Sequence, residues 1–179
     1  AQCNITDLFV EMVSTGEWDP SNVTASVTVD PLATFLVKGK FDEGSEAAAF
    51  ASVKNQVEKA AQLPRLRVIG IQGKLFGNSG ASIVQELAFA LAQGNEYLAR
   101  LTEAGLSIDT VAPKMKFNFS ISNNYFLEIA KLRAARLLWA QVVKTYGPAC
   151  DCSAKMVAHC ETGTFNKTVY DPYVNMLRT

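Results

Sequence analysis

The sequence predicts an α/β fold built from parallel βα units. Strand-like and helix-like segments alternate four times, the strand candidates are short apolar or alternating runs, and glycine or proline marks most junctions. The 179 residues suit one domain, and a 49% apolar composition supplies a substantial core.

Residues 4–15 read as a helix, with Leu8, Phe9, Met12 and Val13 at helical spacing and Gly16 beyond. Ala25–Val29 follows as a strand. Residues 45–61, rich in Ala and Glu and ending before Pro64, read as a second helix, and Leu66–Ile71 as a second strand.

Across 81–104, Val84, Leu87, Ala88, Leu91, Leu98 and Leu101 hold one helical face, with Gly105 as a terminal cap. Gly94 inside this stretch either permits close packing or marks a break between two helices. Residues 116–121 alternate Phe117, Phe119 and Ile121 with Lys116, Asn118 and Ser120, a strand with one apolar and one polar face.

A helix over 124–143 stops at Tyr146-Gly147-Pro148. Residues 155–159 supply a fourth strand, and 168–177 begin a further helix. This order predicts a parallel sheet packed by helices, either an open doubly wound sheet or part of a β/α barrel. Four strands cannot close an eight-stranded barrel. A barrel piece would therefore expose two sheet edges, to be covered by a second copy through self-association or by missing residues.

Seventeen basic and seventeen acidic residues leave no net charge. The basic footprint of a nucleic-acid or anionic-membrane binder is thus absent. No apolar run approaches the roughly 20 residues of a membrane span, and the first residues lack the pattern of a signal peptide, which predicts a cytoplasmic protein. Without an initiating Met, and ending within a predicted helix, the chain reads as a piece of a longer one.

Four cysteines, at 3, 150, 152 and 160, lie partly near His159. A C-x-C pair and an adjacent His-Cys pair suit a shared metal poorly, so no metal site and free thiols are expected. Sequons at Asn4, Asn22, Asn118 and Asn166 are taken as chance matches.

Ligands of parallel βα folds bind in loops after the strands, here 30–40, 72–80, 122–124 and 159–164. The loop 72–80 carries three glycines and Lys74 but matches no phosphate-loop motif, so it reads as a turn. His159 is the sole histidine, and Glu161 shares its strand face, a candidate acid–base pair beside the plainer reading of a structural histidine.

Lys131, Arg133 and Arg136 interrupt an otherwise apolar helix. Their stems are expected to cover apolar surface while their heads reach water or carboxylates, with Glu128 in helical range of Lys131.

That helix also carries a family resemblance. Phe126-Leu-Glu-Ile-Ala-Lys-Leu-Arg-Ala-Ala-Arg-Leu-Leu-Trp139 resembles the barrel domain of methylmalonyl-CoA mutase, particularly its small (beta) subunit. Supporting segments, in family order, are Asp30-Pro-Leu32, Glu86 to Leu98, Ala104-Gly-Leu106, Ala112-Pro113, His159-Cys-Glu-Thr162 and Tyr170 to Thr179. About 150 residues match in register.

The resemblance implies a TIM-type β/α barrel, here incomplete with about four strands. It implies an adenosylcobalamin-dependent isomerase interconverting methylmalonyl-CoA and succinyl-CoA, with a separate domain supplying histidine to cobalt. That domain's D-x-H-x-x-G signature is missing from these residues. The whole of 1–179 is therefore expected to be one segment of the acyl-CoA-binding barrel domain, binding no cofactor itself, with adenosylcobalamin in the parent complex.

Several positions depart from the catalytic pattern implied by the family. Lys74-Leu75 stands where catalytic members carry Tyr-His, and Lys38 replaces the arginine that grips the substrate carboxylate. Thr28 replaces a glutamine. His159 is retained, but Glu161 replaces the glutamine of His-x-Gln. Lys114 matches a CoA-phosphate-binding arginine and keeps its charge.

These departures imply a degenerate site at Thr28, Lys38, Lys74, Leu75, His159 and Glu161. The chain then serves the small, non-catalytic subunit, partnering a large catalytic mutase subunit. The competing readings are a competent acyl-CoA mutase or other barrel enzyme of altered specificity, and an inactive barrel that still binds CoA.

Overall fold

The computed structural model describes residues 5–16 and 18–178. Its centre is one parallel sheet of β1 (Ala25–Val29), β2 (Leu66–Ile71), β3 (Met115–Ile121) and β4 (Ala158–Thr162), ordered β1-β2-β3-β4. Each strand neighbours its successor, without the reversal that defines a doubly wound sheet. The fold is an incomplete β/α barrel: four parallel strands with helices between them, and free edges on β1 and β4.

α1 (Ile5–Thr15) precedes the sheet. Between β1 and β2 run α2 (Pro31–Lys38) and α3 (Glu46–Lys59); between β2 and β3 run α4 (Gly73–Asn78), α5 (Ile83–Glu103) and α6 (Ile108–Val111). α7 (Tyr125–Thr145) joins β3 to β4, and α8 (Pro172–Asn175) follows β4.

Local chemistry explains the helix starts. Ser45 Oγ accepts from Ala48 N–H, and Ser82 with Gln85 forms a reciprocal capping box at α5. Gly105, at φ 93°, takes the left-handed position beyond α5, as its sequence placement predicts.

Two expected loops are instead helical. Asp30 caps α2 and Pro31 opens it, a pairing that fixes the first turn, so residues 31–38 leave the expected loop 30–40. The glycines of 72–80 do not prevent α4 from forming. Gly77 sits where a Cβ would collide with Ser120 Oγ, so its smallness serves contact with β3.

β4 begins three residues later than expected, because 151–154 form a 3-10 turn whose Ser153 and Ala154 are buried. The helix expected over 168–177 shrinks to α8. Cys150 and Cys152 are joined by a disulfide rather than held as free thiols; Cys160 is free and exposed. Cys3 and Asn4 lie outside the described residues.

The main core lies between the sheet and α5 and α7. Phe117 of β3 meets Trp139 of α7 edge-on at 4.7 Å between ring centres. Gly94 permits this contact within one unbroken helix: a Cβ there would lie 2.9 Å from both Phe117 Cζ and Trp139 Cζ3. A second cluster packs Val13 of α1 on Leu63, Leu66 and Val68.

Register places Asn118 opposite His159 and Ser120 opposite Glu161, so these four share one face, while Phe119 and Cys160 share the other. Asn118 and Ser120 are themselves buried, so the expected polar face of β3 is not a solvent face. Buried Asn118 also cannot serve as a glycan acceptor.

Candidate functional site

The strand ends are organised first by Asp30. Its carboxylate accepts from Ala33 N–H at 3.0 Å, Gln72 N–H at 3.1 Å, Gln93 Nε2 at 2.7 Å and Tyr97 Oη at 2.7 Å. Burial pushes its pKa up despite these donors, and burial together with the Asp30 charge pushes Tyr97 up. One side chain thereby ties the end of β1 to the end of β2 and to α5.

Thr28, Lys38 and Leu75 come together beside it, lining a depression of about 310 Å³ with Asp30 and Gln72. Lys38 does not point a free charge into this space. Its Nζ lies 2.9 and 2.8 Å from the two oxygens of Asp42, four residues on in the loop beyond α2.

Lys74, His159 and Glu161 form a second group. Lys74 Nζ lies 2.7 and 2.8 Å from the Glu161 oxygens, and His159 Nε2 lies 3.5 Å from Glu161 Oε1. The hydrogen bond from Lys74 holds the Glu161 carboxyl below its usual range. Lys74 and Leu75 are neighbours on α4, so this short helix borders both groups.

Lys114 is separate. It immediately precedes β3, at the opposite end of the sheet, and donates to Ala60 O at 2.7 Å and Leu63 O at 2.6 Å. Burial, with nearby Arg67, pushes it down to about 8.

Lys131 reaches carboxylates, one of the two destinations expected for these heads. Its side chain is fully buried, with Nζ 2.8 Å from Glu86 Oε2, 2.6 Å from Glu128 Oε2 and 2.6 Å from Ser120 O. The expected Glu128 partner is present, and Glu86 adds a second carboxylate from α5 that helical spacing does not reveal. Arg133 and Arg136 are exposed, as expected. Burial raises Glu128, yet hydrogen bonds from Lys131 and Ser122 more than offset it, leaving the group below its usual value.

Glu86 also accepts from Ser120 N–H at 2.6 Å, so the network fixes the end of β3. A cavity of about 780 Å³ opens beside it, lined among others by Ile121, Tyr125, Leu132, Phe165 and Arg178. Glu86, Gln93 and Tyr97 escaped functional notice because nothing local in sequence links them to Lys131 or Asp30. The Asp30-Pro31 cap is the readable signal for the Asp30 network.

Among the described residues, no group of three or more His, Cys, Asp or Glu side chains is placed to hold a metal, and no helix is long and apolar enough to cross a membrane. Parallel strands in sequential order, with polar groups gathered at their C-terminal ends, define a segment of a β/α-barrel protein.

The methylmalonyl-CoA mutase family profile matches residues 1–179, and the chain belongs to that family. It is 43% identical over 162 residues to the methylmalonyl-CoA mutase small subunit of Porphyromonas gingivalis, covering 90% of this chain and 26% of that protein. It is 34% identical over 160 residues to methylmalonyl-CoA mutase of Escherichia coli, covering 89% of this chain and 22% of that protein. It is 35% identical over 158 residues to the human mitochondrial enzyme, covering 88% of this chain and 21% of that protein. The chain thus spans about a quarter of the length of these relatives, or less.

Proposed function

We propose that residues 1–179 are one segment of the acyl-CoA-binding barrel domain of a small, non-catalytic mutase subunit. It supports a large catalytic subunit that interconverts methylmalonyl-CoA and succinyl-CoA in the cytoplasm. The observation carrying this reading is that the cations expected to grip an acyl-CoA carboxylate are already paired within the chain, Lys38 with Asp42 and Lys74 with Glu161. An incoming carboxylate gains little from either. Lysine, unlike arginine, also offers no planar fork.

Cobalamin does not fit these residues. The sole histidine is engaged beside Glu161 and Lys74 on β4, and no D-x-H-x-x-G segment is present. Adenosylcobalamin, which supplies radical generation in the parent complex, is assigned to a domain outside this segment. Lys114, the CoA-phosphate candidate, is buried and donates to the carbonyl oxygens of Ala60 and Leu63, so it offers an entering phosphate little. The outer edges of β1 and β4 are assigned to neighbouring barrel strands, from further chain or from a second copy.

His159 beside Glu161 supports the rival reading of a working barrel enzyme. One assay separates them: the full-length small subunit with an added cobalamin domain, with and without the large subunit. Conversion only with the large subunit supports the proposal; conversion without it overturns the proposal.

A further inference from the structure

We propose that Glu161 is a tethered competitor occupying a small-carboxylate site formed by Lys74 and His159. Lys74 lies just after β2, at the strand ends where parallel βα folds receive ligands. Its ammonium and the His159 ring both approach the same carboxylate, at 2.7 and 3.5 Å from Glu161 Oε1.

The partners are 87 residues apart and reach across β3, so no helical or hairpin neighbour relation brings them together. A second contact fixes the approach: Asn78 Oδ1, at the end of α4, accepts from Thr164 N–H at 3.0 Å, just beyond β4. α4 is therefore held against the chain that follows β4.

The Lys74 and Glu161 side chains remain 30% and 46% exposed. The site is thus open to solvent, and Glu161 fills it by competition rather than by walling it off. An exposed ion pair contributes little on its own, so the tether gives Glu161 its advantage, and removing that carboxylate leaves the Lys74 ammonium to an outside one. This deepens the non-catalytic reading by naming the group that keeps the pocket from a ligand, and it rests on that reading only for its biological sense.

The test is titration of the 179-residue chain with malonate, read by NMR of the His159 ring, an unambiguous reporter because the chain has one histidine. Glu161→Gln is expected to bind malonate roughly threefold or more tighter than wild type. Glu161→Ser should do the same, and adding Lys74→Met should abolish the saturable shift. Equal affinity in wild type and both variants, no binding in either variant, or a saturable shift that survives Lys74→Met overturns the proposal. None of these results bears on the turnover assay of the parent subunit, so the two failures are separable.

Discussion

Lys131→Met removes the one cation between Glu86 and Glu128 while keeping an unbranched stem of similar length. The Lys131 side chain has no exposed surface, and those of Glu86 and Glu128 are 2% and 6% exposed. Breaking a buried pair by deleting one partner costs about 3–5 kcal/mol, because uncompensated charge stays in the interior. Here two carboxylates are left facing each other.

With a urea m-value of roughly 2 kcal/mol/M, the unfolding midpoint should fall by about 2 M, a large share of a typical domain stability of about 5–15 kcal/mol. The loss should shrink as pH falls and Glu128, deprived of the Lys131 hydrogen bond that helps hold its carboxyl low, takes up a proton. It should be largely recovered when Glu86→Gln and Glu128→Gln are added. A midpoint shift below about 0.5 M, or one indifferent to pH, would refute the assignment of this network as the clamp on β3.

Three further outcomes follow from the same structure. Gly94→Ala, which at an exposed helix site would stabilise by about 1 kcal/mol, should instead destabilise by about 1 kcal/mol, because the new methyl meets Phe117 and Trp139; thermal melting gives the sign. Asp30→Asn puts an NH2 among four donors and should cost about 2 kcal/mol, or roughly 4–8 °C in Tm. The folded pKa of Glu161 lies below its unfolded value, so the Lys74 pair contributes stability above about pH 4.5 that disappears as pH falls through the folded pKa. In Glu161→Gln that acid-dependent contribution, about 0.2–1 kcal/mol for an exposed pair, should be missing from urea titrations compared at pH 7 and pH 3.

Much of the fold was legible because its signals are local. The alternation at Phe117 and Phe119, the run Leu66–Ile71, and Gly105 after a long amphipathic stretch each encode structure within a few residues. Gly94 was ambiguous locally, and only the arrival of Phe117 and Trp139 from other elements decides in favour of close packing.

The site was less legible because its pairings are distant. Lys74 finds Glu161 across 87 residues, Asp30 finds Gln93 across 63, and Lys131 finds Glu86 across 45. Glu128, three residues from Lys131, was the partner that helical spacing could reveal. α2 carries a local start signal in Asp30-Pro31, but its eight residues are too few to show a helical period against the loop that a βα turn leads one to expect.

The central claim is that this barrel segment's charges satisfy one another and leave no grip for an acyl-CoA carboxylate. Equilibrium dialysis of methylmalonyl-CoA against the assembled large and small subunits tests it most directly, by stoichiometry. One molecule bound per heterodimer is the predicted result; two, with the second lost on replacing Lys38 or Lys74, would contradict it.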